Sequence, residues 1–190
     1  MINIVLFGPP GSGKGTQAQN LIEKFNLKQI STGDLFRYNM KNGTALGILA
    51  KSYIDKGELV PDQVTTDMLI EEVKKPTNTN GFIFDGYPRT VAQAKALDEV
   101  LSENKTAING VISLEVQYNE LVKRILGRGK DSGRSDDQDI KIIENRILVY
   151  NDKTAPLIEY YKKQNKYHSI NGMGTIDDIF KRISSVMDKF

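Results

Sequence analysis

The glycine-rich stretch GPPGSGKGT at residues 8–16 constrains the fold of this chain more than any other segment. An apolar run, INIVLF, precedes it at residues 2–7, and Ala18, Leu21 and Phe25 follow it at helical spacing. A short β-branched run of this kind is typical of a buried strand in a parallel sheet. The glycines therefore join a buried strand to the N-terminus of a helix.

The spacing of Gly8, Gly13 and Lys14 fits the phosphate-binding pattern G-x-x-x-x-G-K. Backbone N–H groups converge on a phosphate only where side chains do not block them, and the lysine adds a point charge. An ordinary Gly/Pro turn is the alternative, but it does not explain why strand, lysine and helix occur in this order. The residue after the lysine is usually a Ser or Thr that holds Mg²⁺. Here it is Gly15, with Thr16 one position later, so we expect the metal to be held more through the nucleotide and water.

Strand-like and helix-like segments alternate along the 190 residues, which predicts an α/β fold with a central, parallel, five-stranded sheet flanked by helices. The candidate strands are residues 2–7, 28–31, 81–85, 110–114 and 167–170. Residues 32–75 instead hold three helical patterns, around 33–42, 45–55 and 62–74, and predict a small helical lobe. Residues 128–137, RGKDSGRSDD, predict a loop or small flap between two helical patterns.

Charge and cysteine content exclude several functional classes. The net charge of +2 gives no basic field for nucleic acid or membrane binding. The absence of cysteine removes disulfides and thiolate zinc sites. The first apolar run is too short for a signal peptide or a membrane span. We therefore expect a cytoplasmic protein with neither nucleic acid nor membrane as a partner.

Two further segments place polar side chains where strands end. In ISTGDLFR, Thr32 and Asp34 lie at a strand-to-helix junction, and Arg37 lies near the helix start; helix capping is the simpler explanation for the first two. In FIFDGYPRT, a buried strand ends at Asp85, where a carboxylate can orient water around Mg²⁺. Helix capping is again the alternative. The turn that follows presents Arg89, with a glutamine one helical turn later.

The arginines are distributed unevenly. The chain has 19 lysines but only 7 arginines, and six of these fall in the segments suspected of forming a site: Arg37, Arg89, Arg124, Arg128, Arg134 and Arg146. Only Arg182 lies outside them. Any one arginine is more simply explained by a surface salt bridge. Together they mark anion-binding positions, because the planar fork of arginine holds two phosphate oxygens and lysine cannot replace it. Asp136 and Asp137 either close the flap by pairing with Arg128 or Lys130, or are solvated.

Four stretches, GSGKGTQ, STGDLFR, DGYPRTVAQ and TAPLIEYY, occur in an order and spacing that resemble the short-lid adenylate kinases, nucleoside monophosphate kinases with the P-loop kinase fold. The resemblance implies reversible phosphoryl transfer from Mg-ATP to AMP, giving two ADP and serving adenine nucleotide homeostasis. It implies a monomer whose partners are ATP, AMP and ADP, and which needs Mg²⁺ but no structural zinc. It also implies one domain with a core (1–30, 61–126, 138–190), an NMP-binding lobe (31–60) and a short lid (127–137).

The resemblance further implies roles for individual residues. The catalytic residues would be Lys14, Arg89, Arg124, Arg128, Arg134 and Arg146. ATP would be bound by Gly11, Ser12, Gly13, Lys14, Gly15, Thr16, Arg124, Arg128 and Gly174. AMP would be bound by Thr32, Arg37, Glu58, Leu59, Val60, Gly86, Arg89, Gln93, Arg134 and Arg146. In this family Thr32 would contact the adenine end of AMP and Gln93 the adenine edge, whereas Asp85 would hold Mg²⁺ through water.

Two other classes of protein compete with this interpretation. A pyrimidine monophosphate kinase shares the fold and the short flap, but Thr32 and Gln93 argue against it. A GTP-dependent switch needs an N-K-x-D motif, and the two N-K pairs, at residues 104 and 165, lack the aspartate. The sequence also shows no kinase-type general base. A phosphate acceptor is already anionic and requires none, so catalysis would depend on alignment and charge neutralisation.

Overall fold

The computed structural model describes all 190 residues, and its strands and helices alternate along most of the chain. The strands are β1 Ile2–Phe7, β2 Lys28–Ser31, β3 Gly81–Asp85, β4 Gly110–Glu115 and β5 Tyr167–Asn171. The helices are α1 Lys14–Phe25, α2 Thr32–Lys41, α3 Ala45–Ile54, α4 Asp62–Lys74, α5 Val91–Glu103, α6 Tyr118–Ser132, α7 Ile140–Val149, α8 Leu157–Lys162 and α9 Ile176–Met187. A 3₁₀ turn spans Ser135–Asp137, and a π-helical turn spans Tyr150–Thr154. None of the helices has both the length and the apolar character needed to cross a membrane.

All five strands are parallel and form one sheet in the order β2-β3-β1-β4-β5, which confirms the predicted α/β fold. The first strand, β1, lies at the centre and pairs with β3 on one side and β4 on the other. Its one polar residue, Asn3, is fully buried and satisfied. The side chain donates to Thr106 Oγ1 and to the Ala107 carbonyl, and it accepts from the Phe82 N–H. Two strands run one residue further than predicted, to Glu115 and Asn171.

Each face of the sheet carries its own apolar core. Because side chains alternate across a strand, Val5 and Phe7 of β1 face the cluster shared with α4, α5 and α8, whereas Ile4 and Leu6 face the cluster shared with α1 and α9. With both faces covered, the three central strands β1, β3 and β4 are mostly apolar and read as continuous runs in the sequence, whereas the edge strands β2 and β5 also carry polar residues. The polar chemistry of the protein is thereby left to the strand ends.

The helical lobe has a separate, smaller core. Phe36, Ala50, Val60 and Met68 pack together between α2, α3 and α4. One helix belongs to both cores, because Leu69, the next residue on α4, packs into the large cluster under the sheet. The three helices that were predicted between residues 32 and 75 are all present, and α4 connects the lobe to the sheet.

The segment 128–137 differs from the loop predicted for it. The helix α6 continues to Ser132 and ends at Gly133, whose φ of 65° is left-handed. The expectation was wrong because the glycines before that point accept helical backbone at a cost of only about 1 kcal/mol each. Gly129 is also required there for packing, since a Cβ at this position would lie 2.6 Å from the Asp137 carbonyl oxygen. The flap is therefore the end of a helix followed by a short 3₁₀ turn.

Candidate active site

A cavity of about 410 Å³ opens at the carboxyl ends of β1, β2 and β3. Its walls are the glycine-rich loop after β1, the start of α2, the connection between α3 and α4, the turn after β3, and residues of the flap and of α7. In open parallel sheets ligands gather at this edge, next to the strand where the order reverses. The strand order places β1 and its loop at that position.

The loop after β1 is built to hold an anion. Gly11 and Gly13 adopt φ values of 81° and 97°, a region that other residues avoid. The first turn of α1 has no side-chain cap, so its N–H groups remain free for a ligand. The Lys14 ammonium folds back over the loop and donates to the Gly8 and Pro9 carbonyls at 2.7 and 3.0 Å. Burial lowers the pKa of Lys14 to about 8, and nearby arginines add to this effect.

Five of the six arginines expected at the site line this one cavity: Arg37, Arg89, Arg128, Arg134 and Arg146. Burial lowers the pKa of Arg89 to about 10, with repulsion from Arg146 as the next cause and attraction from Asp85 opposing it. Burial, together with Arg37 and Arg128, also lowers the pKa of Arg134. A cavity that crowds cations in this way binds phosphate groups favourably, since each phosphate relieves the repulsion.

Asp137 holds two of these arginines in place. Its carboxylate, which is 0% exposed, accepts from Arg128 Nε and Nη2 at 2.6 and 2.9 Å and from Arg146 Nη1 at 2.7 Å. Burial opposes the charged form of Asp137, but the hydrogen bonds from the two arginines outweigh it and hold its pKa below the ordinary value. Asp136 pairs with Arg146 at 3.0 Å. The two aspartates therefore close the flap onto arginines rather than being solvated, and Lys130 takes no part.

The opposite side of the cavity carries the ISTGDLFR residues. Helix α2 is capped by Ser31, which accepts from the Asp34 N–H, so capping explains neither Thr32 nor Asp34. Thr32 Oγ1 instead donates across to the Gly86 carbonyl at 2.9 Å. Arg37 pairs with Asp34 at 2.6 Å and lines the cavity.

In the turn after β3, the Gly86 carbonyl accepts hydrogen bonds from both Thr32 and Arg89. Arg89 Nε donates to the Gly86 carbonyl at 2.7 Å, which leaves the two terminal nitrogens of its guanidinium without a partner in the protein. Asp85 accepts from Gln29 Nε2 at 3.1 Å and lies close enough to Lys14 to raise its pKa against the effect of burial. Asp85 is not a helix cap, because α5 begins at Val91 and is capped by Thr90.

Asp62, a residue that was not expected at the site, contacts Gln93, which lines the cavity. Gln93 donates from Nε2 to Asp62 Oδ1 at 2.7 Å, and Thr90 Oγ1 donates to Asp62 Oδ2 at 2.8 Å. In the sequence Asp62 follows a proline at the start of a helical pattern, where an acidic residue is ordinary. Only the tertiary fold shows that its carboxylate faces a glutamine of the cavity.

Three expected site residues lie outside the cavity: Ser12, Arg124 and Gly174. Ser12 is fully buried within the loop. Arg124 pairs with Glu120 at 2.8 Å and donates to the Gly172 carbonyl at 3.2 Å.

Arg182 also supports the loop that contains Gly172, because it donates to the carbonyls of Asn171 and Met173. Arg124 and Arg182, the two arginines that do not line the cavity, thus both hold backbone carbonyls of residues 171–173. Arginine use in this chain marks carbonyl-rich loops as well as anion sites.

The remaining candidates line the cavity: Gly11, Gly13, Gly15, Thr16, Glu58, Leu59, Val60 and Gly86. No group of three or more His, Cys, Asp or Glu side chains is arranged to hold a metal ion. Asp85 also lines the cavity, where its charge acts on Lys14.

Comparison with known proteins places these features in one family. The family model described as adenylate kinase matches residues 6–166. The chain is 57% identical over 188 residues to an adenylate kinase of Flavobacterium psychrophilum, with 99% of both chains covered. It is 49% identical over 189 residues to one of Bacteroides thetaiotaomicron, covering 100% of both chains, and 49% identical over 183 residues to one of Leptospira biflexa, covering 96% of this chain and 98% of the relative.

Proposed function

Because this chain belongs to the adenylate kinase family, we propose that the cavity at the carboxyl edge of its sheet is where ATP and AMP meet. The enzyme transfers a phosphoryl group from ATP to AMP and gives ADP. The observation that carries the assignment is the convergence of Lys14 and five arginines on one cavity whose far wall is a threonine and a glutamine. Cations that suit phosphate and polar side chains that suit a base thus line the same cavity.

The glycine-rich loop takes the ATP phosphates. The first turn of α1 has no side-chain cap beside the cavity, so its N–H groups serve the phosphates, and Lys14 leaves its carbonyl partners for the outer phosphates. Arg128, at the lid, adds charge on the same side. Arg124 and Gly174 act indirectly, with Arg124 supporting the loop from Gly172 onward.

AMP occupies the other half. Arg37 and Arg89 hold its phosphate, because both line the cavity and Arg89 keeps two donor nitrogens free. Thr32 and Gln93 face its base, and the stretch Glu58–Leu59–Val60 walls the recess. With the AMP phosphate already anionic, no general base is needed, and the arginines stabilise the charge that develops in transfer.

Further positive charge around the phosphoryl group that is transferred comes from Arg128, Arg134 and Arg146. Without nucleotide, Asp137 pairs with both Arg128 and Arg146, so that neither of these partly buried guanidinium groups is left unpaired. Their remaining N–H groups are available to phosphate oxygens. Asp137 thereby keeps the guanidinium planes in position before the nucleotides arrive.

Mg²⁺ enters with ATP. Asp85 fits this role as a hard oxygen donor beside Lys14, oriented by Gln29, and it would hold the ion through water because the loop lacks a hydroxyl directly after the lysine. When bound, the ion neutralises charge on the phosphates. We propose no structural metal, because the chain has no cysteine and residues 128–137 contain no histidine.

Two parts of the molecule close over the substrates: the NMP-binding lobe, residues 31–60, and the lid, residues 127–137, with the rest as core. Three contacts connect the lobe to the lid side, and one of them is the ion pair between Arg134 and Asp34 at 3.8 Å. Ser135 Oγ donates to Asp55 Oδ1 at 3.2 Å, and Asn145 Nδ2 donates to the Lys56 carbonyl at 2.7 Å. Closure of this kind keeps water, a competing acceptor, away from the phosphoryl group.

All of the assigned groups come from one chain, which supports a monomer as the working unit. The near-neutral charge of +2 supports neither nucleic acid nor a membrane as a partner. ATP and AMP are cytoplasmic metabolites in bacteria, the source of the relatives named above, so we propose a cytoplasmic location.

A coupled assay of ADP formation tests the acceptor assignment. With Mg-ATP as donor, AMP, CMP, UMP and GMP are compared as acceptors, and AMP should give the highest kcat/KM. A site that hydrogen-bonds its base rejects mismatched bases strongly. A higher kcat/KM for CMP or UMP would overturn the assignment of Thr32 and Gln93 to adenine.

A further inference from the structure

The side-chain amide of Gln93 is held at both ends by groups of fixed polarity. It is 2% exposed, its Nε2 donates to Asp62 Oδ1 at 2.7 Å, and its Oε1 accepts from the Arg89 backbone N–H at 2.7 Å. A carboxylate can only accept a hydrogen bond and a backbone N–H can only donate one. Of the two orientations related by a 180° flip, only one satisfies both neighbours.

Asp62 is itself fixed in position. Its second carboxylate oxygen accepts from Thr90 Oγ1 at 2.8 Å, and Thr90 caps α5 by accepting from the Gln93 backbone N–H at 3.2 Å. The first residue of α4 and the first turn of α5 are thus joined by a closed set of hydrogen bonds. Gln93 cannot turn its amide without breaking this set.

The orientation decides which base the amide can read. A primary amide has two N–H groups and two oxygen lone pairs, so Gln93 keeps one of each for a ligand after its internal bonds are made. The adenine edge of AMP presents an amino donor beside a ring-nitrogen acceptor. The hypoxanthine edge of IMP presents the reverse, a carbonyl acceptor beside a ring N–H donor. A freely flipping amide complements either edge, whereas a fixed amide complements only one.

We propose that Asp62 is a positioning residue that makes the AMP site selective for adenine over hypoxanthine. It does so by fixing the polarity of the Gln93 amide and has no contact of its own with the base. This inference rests on the proposed function, in which Gln93 reads the adenine edge. It adds the reason why Gln93 reads only adenine, although a glutamine side chain that is free to flip can match either base.

Asp62→Asn is the decisive substitution, because an asparagine of the same shape offers Gln93 either an N–H or a carbonyl, so that only the Arg89 backbone N–H still opposes the flip. With ATP saturating, the ratio of kcat/KM for AMP to kcat/KM for IMP should fall by at least about fivefold, as expected when a base is no longer mismatched to a fixed hydrogen-bonding site. The KM for ATP should not change. Asp62→Glu, which can still only accept, should retain most of the ratio.

The same helix offers a matched control. Asp67 accepts from Gln63 Nε2 at 2.8 Å, and both residues are exposed. Asp67→Asn therefore makes the same change of charge in the same type of pair, away from the cavity, and should keep the wild-type ratio. If Asp62 merely stabilised the helix start, Asp62→Asn would lower the melting temperature and both kcat/KM values, and an unchanged ratio would overturn the proposal. Should the asparagine variant not fold, Asp62→Ser, whose hydroxyl also donates or accepts, makes the same comparison.

Gln93→Ala tests the role of Gln93 separately from the role of Asp62. If it leaves the AMP to IMP ratio unchanged, Gln93 does not read the base, and both its proposed role and that of Asp62 fall. If it changes the ratio but Asp62→Asn does not, only the role of Asp62 is wrong. If both change it, adding Asp62→Asn to Gln93→Ala should have no further effect on the ratio, because Asp62 acts through the glutamine.

Discussion

Replacing Arg89 by lysine keeps a positive charge in the cavity but removes the planar fork. Arg89 uses Nε to hold the Gly86 carbonyl at 2.7 Å and has two further nitrogens directed away from that bond. A lysine has a single nitrogen, which cannot serve the carbonyl and two phosphate oxygens at once. The variant should therefore lose at least one charge-assisted hydrogen bond to the transferring group, about 1.5–3 kcal/mol. This corresponds to a fall in kcat of roughly 10- to 150-fold.

The surroundings of Arg89 add a pH dependence to this effect. Burial lowers the pKa of Lys14, in the same cavity, to about 8, and a second ammonium beside it faces the same loss of solvent. A group whose pKa is lowered loses its proton as the pH rises. The ratio of variant to wild-type kcat should therefore fall further as the pH is raised through 8, whereas Arg89, with a pKa of about 10, stays charged.

The assay is ADP formation with ATP and AMP both saturating, accompanied by the melting temperature of each protein. The AMP to IMP ratio provides an internal check, because the Arg89 N–H that binds Gln93 belongs to the backbone and is kept. Arg89→Ala provides the chemical control: added guanidinium should restore activity and methylammonium should not. Rescue by both ions alike, or a kcat for Arg89→Lys within about twofold of wild type, roughly 0.4 kcal/mol, would refute the geometric argument.

Three other predictions follow from the charges of the site. Lys14→Met should abolish transfer yet raise the free energy of unfolding of the nucleotide-free protein at pH 7. The folded site lowers the pKa of the lysine from 10.5 to about 8, so wild-type stability should rise between those pH values, and urea titrations of the variant should lack that slope. Asp137→Asn should destabilise the protein by about 2 kcal/mol at pH 7, because Arg128 and Arg146 lose charge-assisted hydrogen bonds to a buried carboxylate. Since the pKa of Asp137 is lowered below its ordinary value of 3.8, its stabilisation is lost as the pH falls below that value, and the gap between the two proteins in urea titrations should narrow there; a constant gap would contradict this. A chelator should abolish activity without moving the melting temperature of the nucleotide-free protein, and a large drop would indicate a structural metal.

The sequence predicts most of the fold because its signals are local. A buried strand in a parallel sheet is a short apolar run, and each run here ends at a glycine, polar residue or helix signal that marks its limit. Arg37 and Arg89 reach the cavity for a related reason: they follow the ends of β2 and β3, which parallel topology brings to one edge. Three other arginines reach it from the flap and from the late turns of α6 and α7: Arg128, Arg134 and Arg146.

The parts that could not be predicted depend on partners distant in the chain. Asp62 meets Thr90 and Gln93 across 28 and 31 residues, and nothing in its own neighbourhood distinguishes it from an ordinary helix-start aspartate. Gly129 looks like a helix breaker until the Asp137 carbonyl is seen against it. In both cases local propensity allows more than one role for the residue, and only its tertiary contacts show which role it has.

The central position of β1 in the sheet also determines how long this strand stays unpaired during translation. The strand that must pair on both sides emerges early, but its neighbour β3 begins 79 residues later, with Ile2 opposite Gly81, and β4 follows later still. At about 5–20 residues per second, the ribosome leaves this apolar strand unpaired for roughly 4–16 s. Pairings so distant in sequence also close slowly, since the loop entropy is lost before the contacts form. During that interval the nascent chain displays the apolar segment INIVLF, so translation rate and chaperone access govern its yield as much as the stability of the finished sheet does.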